Sequence, residues 1–141
     1  MALPKTPALT TDCVVFDVET RVLLIRRGHD PYAGCYALPG GFVEIGETVE
    51  NACRRELQEE TGLEVGALRL VGVYSDPHRD PRGHTVSVAF ATVLPQAIAP
   101  RSGSDAASAE WVEDWHKLRL AFDHGQILED AETLLKPRRR D

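Results

Sequence analysis

Short apolar runs containing β-branched residues recur along the chain, bounded by turn-forming and charged residues, and read as strands. Cys13 to Asp17 and Arg21 to Arg27 are two such runs, parted by Val18-Glu19-Thr20, and predict a hairpin. Gly28 to Gly34 holds Gly, Asp, Pro and Tyr and reads as a loop. Tyr36 to Val43 is apolar but interrupted by Pro39-Gly40-Gly41, so a short strand is expected with an irregular, closely approached backbone in its middle. After Gly46 the period becomes helical. Glu47 and Thr48 suit a first turn, and Gly62 suits the left-handed position that ends a helix. Leu68 to Tyr74 and Thr85 to Leu94 predict strands joined by a surface loop, Ser75 to Gly83. Pro95 to Ala109 reads as a second loop before a short strand around Trp111-Val112. From Asp123 to Leu135, Ile127, Leu128, Ala131, Leu134 and Leu135 recur at helical spacing, predicting an amphipathic closing helix.

The chain of 141 residues is the size of one domain, with its core expected over about 12–135 and loose ends at 1–11 and 136–141. Its 43% hydrophobic content predicts a packed globule. No apolar run approaches the roughly 20 residues that span a bilayer. The first twelve residues lack the apolar core of a secretory leader, so a cytoplasmic location is expected. A formal net charge of -6 argues against salt-driven attachment to nucleic acid or anionic membrane. Such a protein needs a cation to handle an anionic substrate. Cys13, Cys35 and Cys53 are odd in number and form no CxxC pair, so reduced thiols are expected. The basic Lys136-Pro-Arg-Arg-Arg run reads as a solvated tail.

The chemistry lies between Gly41 and Leu63. Wound as a helix, Val49, Ala52, Cys53 and Leu57 share an arc of roughly 140°, and Glu56, Glu59 and Glu60 fall in it or at its edge. Inward carboxylates repel one another and lose hydration, at a cost of several kcal/mol per unpaired charge, unless a cation sits between them. Oxygen ligands three and four residues apart suit a hard ion such as Mg2+ or Mn2+. The competing reading is an exposed acidic helix paired with Arg54 and Arg55, and the position of the acids on the helical wheel tips the balance to the metal.

The pattern formed by Gly41, Glu47, Arg55-Glu56-Leu57, Glu59-Glu60 and Gly62-Leu63 resembles the Nudix box of the Nudix hydrolase family. The likeness runs from about Asp12 to Leu135, with Tyr36 standing where many members carry Trp. It implies an α/β fold, an α/β/α sandwich around a mixed sheet, and a metal-dependent hydrolase of nucleoside diphosphate derivatives that uses Mg2+ or Mn2+. By resemblance, Glu56, Glu59, Glu60 and the Gly40 carbonyl hold metal, Arg55 orients the carboxylates, and Glu47 braces the box loop or reaches the metal through water. Glu56 or Glu59 competes as general base with a distant loop acid. Asp105 has the spacing from Glu110-Trp111 for that role, and is equally read as a solvated loop residue.

Specificity must come from outside the box. Tyr74 to His84 resembles the loop of short bacterial and archaeal ADP-ribose pyrophosphatases, with Pro77 fifteen residues beyond Gly62. Arg82 and His84 there offer donors to phosphate or ribose. Arg26 and Arg27 end a strand near the same rim, on opposite faces, so one of them should meet substrate; Arg26 is taken as the candidate. His29 and Tyr32 read as solvated loop residues, Trp111 and Trp115 as packing, and Asp123-His124 as a helix cap. The reading is therefore cleavage of ADP-ribose to AMP and ribose 5-phosphate by a protein whose partner is a small nucleotide, with a homodimer plausible. Alternatives are a sanitising hydrolase of modified nucleoside triphosphates or dinucleoside polyphosphates, and a non-catalytic ligand-sensing domain. Intact box acids and the short stretch after Leu135 weigh against sensing.

Overall fold

A computed structural model of the protein describes residues 2–95, 99–100 and 106–136. Seven strands and two helices follow in the order β1 (Ala8–Phe16), β2 (Val22–Arg27), β3 (Tyr36–Ala37), β4 (Gly40–Phe42), α1 (Val49–Thr61), β5 (Arg69–Tyr74), β6 (Thr85–Val93), β7 (Ala106–Val112) and α2 (His124–Leu135). The sheet is mixed. β1 runs parallel to β6 from Ala8 opposite Thr85 to Phe16 opposite Val93, and antiparallel to β4 through Thr10–Phe42, Thr11–Gly41 and Asp12–Gly40. β7 pairs antiparallel with β2, and β5 with β6.

Alternation along the central strands decides which helix covers which face. Val14, Phe16, Val22, Leu24, Ala89 and Ala91 pack with Ile127, Leu128 and Ala131 of α2. Cys13, Val15, Leu23 and Phe90 point the other way, onto Cys53 and Leu57 of α1. One helix therefore lies on each face, the α/β architecture that the resemblance implies. Full burial of Leu57 alone contributes about 1.5–3 kcal/mol. Among the described residues no helix is long and apolar enough to cross a membrane.

Four local expectations change. The β1–β2 hairpin closes its turn, with the Asp17 amide on the Arg21 carbonyl, but pairs only at Phe16–Val22. β4 and β6 take the remaining hydrogen-bonding groups of β1, and β7 takes those of β2. The last strand begins at Ala106, within the stretch expected to be loop, because β2 offers it an edge as far as Arg27. The ordered core extends back to Ala8, in advance of Asp12, because β6 provides partners that far. Asp123 makes no side-chain cap to α2, since its carboxylate is engaged by Arg79. Helix α1, by contrast, starts where the Thr48 hydroxyl accepts the Asn51 amide at 3.1 Å and ends on Gly62 at φ 73°.

Candidate active site

Helix α1 presents its acids to the strand carrying Gly40 and Gly41. A Cβ on Gly41 would lie 2.6 Å from the Glu56 carboxyl carbon, and one on Gly40 would lie 2.2 Å from the Thr11 carbonyl oxygen. Two glycines are therefore what lets strand and carboxylate meet. Arg55 organises the surroundings. Its Nε and Nη2 donate to both Glu47 oxygens at 2.7 and 2.9 Å, Nη1 donates to Glu56 at 2.8 Å and Glu59 at 3.3 Å, and Nη2 also reaches the Phe42 carbonyl. The Arg55 hydrogen bonds, supported by the Glu44 amide, lower the Glu47 carboxyl to about 2.

The three box acids do not stand alike. Glu59 is half exposed and turned to Arg55. Glu60 is buried, takes the Gly40 amide, and shares a hydrogen bond with Glu56. Burial first, and then that hydrogen bond, push the Glu60 carboxyl up to about 9. Burial likewise raises Glu56. The second Glu60 oxygen, Oε2, is buried with no hydrogen-bond partner. A buried orphan oxygen beside a second carboxylate is a poor place for a lone charge and a fitting place for a hard cation. Among the described residues no three His, Cys, Asp or Glu side chains already form a metal cage, which agrees with the outward turn of Glu59.

The acids open onto a cleft of about 400 Å3 whose lining includes Gly40, Gly41, Glu56 and Glu60 together with Arg27, Arg79, Arg82 and Phe122. Phe122 has a left-handed backbone, φ 53°, uncommon for a bulky side chain. The guanidinium carbons of Arg27 and Arg82 lie 4.9 and 5.8 Å from its ring. Arg82 is tethered by Asp80, and desolvation together with Arg82 lowers Arg27. Arg79 is almost fully buried, forked onto Asp123 at 2.6 and 2.9 Å and bonded to Thr85.

Of the residues singled out from sequence, the fold brings Gly40, Glu56, Glu60 and Arg82 into this cleft, with Arg55, Glu47 and Glu59 bound to its acid wall. Arg26 goes elsewhere. It stacks 4.3 Å over the Tyr36 ring and donates to the Tyr36 hydroxyl, and Arg27 is the member of the pair in the cleft, next to an irregularity in β2–β7 pairing that falls between the two. His84 also lies outside, with Nε2 at 3.0 Å from the Ser75 carbonyl. Asp105 is outside the described residues. His29 lines the cleft, Tyr32 packs edge-on to Phe122, and Trp115 is core. Asp12, Arg79, Phe122 and His124 were not visible as cleft residues, because each arrives from a different element. They share no signal in the sequence: Asp12 borders an apolar run, Arg79 lies in a charged loop, and Phe122 and His124 flank Asp123.

A cleft that joins paired acids on a glycine-backed helix with arginines defines a member of the Nudix family, and the chain belongs to it: the model of the NUDIX domain matches residues 6–131. Nudix hydrolases generally need divalent metals. Among its relatives is the ADP-ribose pyrophosphatase of Methanocaldococcus jannaschii, 46% identical over 125 residues that cover 88% of this chain and 72% of that protein. The ADPR responsive transcriptional repressor NtrR of Acinetobacter baylyi is 35% identical, over 95% of this chain and 56% of the repressor. In structure, the NUDIX domain of Shewanella oneidensis NrtR complexed with ADP ribose matches at TM-score 0.87 and 29% identity, over 94% of this chain and 90% of that one.

Proposed function

We propose that the protein hydrolyses the diphosphate bond of ADP-ribose to AMP and ribose 5-phosphate, with Mg2+ or Mn2+ held by Glu56, Glu59, Glu60 and the Gly40 carbonyl. The observation that carries this is the hydrogen-bonded Glu56–Glu60 pair, its Glu60 buried, lining one cleft together with Arg27 and Arg82, in a chain 46% identical to an ADP-ribose pyrophosphatase. A bound divalent ion supplies charge neutralisation for phosphoryl transfer and a water acidic enough to attack. The protein supplies the rest. Arg55 fixes the Glu56 carboxylate by direct donation and leaves Glu59 on a longer, more exposed bond. Arg27 and Arg82 draw the diphosphate in and orient the oxygens turned away from the acids. Gly40 and Gly41 leave room for the Thr11 carbonyl and the Glu56 carboxylate where a side chain would stand. Glu56, Glu59 and Asp105 are the candidate bases, and separate Glu56→Gln, Glu59→Gln and Asp105→Asn variants distinguish them.

The test is product release from ADP-ribose, NADH, diadenosine polyphosphates and nucleoside triphosphates, each with Mg2+ or Mn2+. ADP-ribose should give the highest kcat/KM, and the Glu56→Gln variant should retain its fold while losing turnover. Turnover confined to triphosphates would overturn the substrate assignment. A sensing role is favoured by the 35% identity to an ADPR responsive repressor, and it would appear as ADP-ribose binding without product. The net charge of -6 supports a small nucleotide over nucleic acid as partner. The homodimer rests on resemblance alone, and sedimentation decides it.

A further inference from the structure

The segment Leu38–Pro39–Gly40, which delivers the glycine pair to α1, is gripped from several directions. The Leu38 amide donates to His124 Nδ1 at 3.0 Å, across 86 residues of sequence. The Pro39 carbonyl accepts the Cys13 amide at 2.8 Å. The Gly40 amide donates to Glu60. Proline has no N–H, so Leu38 and Gly40 hold the two amides of this segment. One is spent on the first residue of α2 and the other on the site's buried acid. The grip is therefore a direct backbone link between α2 and the acid pair.

His124 is itself held in one orientation. Because Nδ1 accepts the Leu38 amide, the ring hydrogen is on Nε2, which stands 3.2 Å from Asp12 Oδ1. The other Asp12 oxygen accepts the Ser87 hydroxyl. Asp12 is also the β1 partner of Gly40, and its Oδ1 would sit 2.8 Å from a Cβ placed there. Both His124 and Asp12 are buried, at 5% and 6% exposure. A buried imidazole with both nitrogens used, whose partner Asp12 crowds a glycine that has no room for a side chain, does more than fill space.

We propose that His124 is a positioning residue: through the Leu38 amide it sets the height of Gly40 against Glu60, and so the spacing between the Gly40 carbonyl and the carboxylate pair. The clamp stands on geometry, while its consequence for turnover rests on the hydrolase reading above.

Three substitutions separate this role from simple packing. In His124→Asn the side-chain oxygen can take the place of Nδ1 and keep the Leu38 link. His124→Gln can keep a donor toward Asp12 but loses that link, and His124→Phe keeps bulk and loses both. Supporting partners of metal sites are worth roughly 10–100-fold in affinity or activity. His124→Gln and His124→Phe should therefore lose at least about tenfold in kcat with KM for ADP-ribose unchanged, while His124→Asn stays within about threefold of the parent protein. Two readouts need no turnover. Amide hydrogen exchange at Leu38 and Gly40 in metal-free protein should quicken in His124→Gln and His124→Phe but not in His124→Asn, and affinity for Mn2+ alone should fall in the first two and hold in the third. Equal losses in all three variants, or losses that track melting temperature alone, overturn the proposal. If the parent protein turns over no nucleotide, the hydrolase reading fails and the exchange and Mn2+ data still decide the role of His124.

Discussion

Gly41 and Glu56 touch: a methyl group on Gly41 would fall 2.6 Å from the Glu56 carboxyl carbon and 2.7 Å from Oε1. The obstructed atoms are the end of a flexible side chain, so Gly41→Ala should fold with little loss of stability while displacing Glu56. Turnover is expected to drop by about 100-fold or more. Gly40→Ala makes the contrast, because its Cβ meets the Thr11 carbonyl oxygen at 2.2 Å and backbone must move. That variant should lose about 1–3 kcal/mol or more in urea unfolding. Equal stability of the two variants would contradict this account.

Arg55 serves five acceptor oxygens with a planar fork: both of Glu47, one each of Glu56 and Glu59, and the Phe42 carbonyl. A lysine ammonium is a point donor and cannot span Glu47 and Glu56 together. Arg55→Lys should therefore lower kcat by roughly 10–100-fold, with a smaller effect on KM. Steady-state kinetics check this, and a parental kcat would show that the fork is dispensable.

Protonation of Glu60 ties stability to pH. Its folded carboxyl is pushed up to about 9 from an ordinary value of 4.5, so between those values the folded protein holds a proton that the unfolded chain releases. Stability from this group is fully present below about 4.5 and is lost as pH rises toward 9. In EDTA the melting temperature should decline across that window, and Glu60→Gln should flatten the decline. On the proposed metal site a divalent ion would take the place of the proton, so titration with Mg2+ or Mn2+ should release protons, read by calorimetry in buffers of different ionisation enthalpy. Binding with no proton release would count against the pair as a cation site.

Arg79 and Asp123 fasten the Ser75–His84 connection to the start of α2. The Arg79 side chain is 5% exposed and, when Asp123 is removed, keeps its hydrogen bond to Thr85 and a longer approach, 3.8 Å, to the Asp12 carboxylate. Asp123→Ala should cost about 2–3 kcal/mol in chemical denaturation. A change under about 0.5 kcal/mol would place the pair among surface contacts of no consequence.

Helix α1 was legible because its information is local: Thr48 caps it, Gly62 ends it, and Ala52, Cys53 and Leu57 mark its buried stripe. The same wheel put Glu56 and Glu60 inside the stripe and Glu59 at its edge, which is where burial divides them. Arg26 and Arg27 show where such reading stops. Alternation says they part, but which one faces the cleft depends on Tyr36 offering Arg26 a ring and on the irregularity opposite β7. Asp123 read as a cap by position and is instead committed to an arginine 44 residues away.

By itself, the order of residues determined the alternating helices and strands, the glycine-backed acidic helix and the family it marks, because periodicity, capping and motif spacing act between neighbours. Only the tertiary structure decided that Arg27 and Arg82 close on Phe122, that Glu60 is left with an orphan oxygen, and that His124 holds Leu38. Those contacts join residues far apart in the chain. Their energies depend on burial and on the partners at hand, and neither exists until the sheet has brought both faces together.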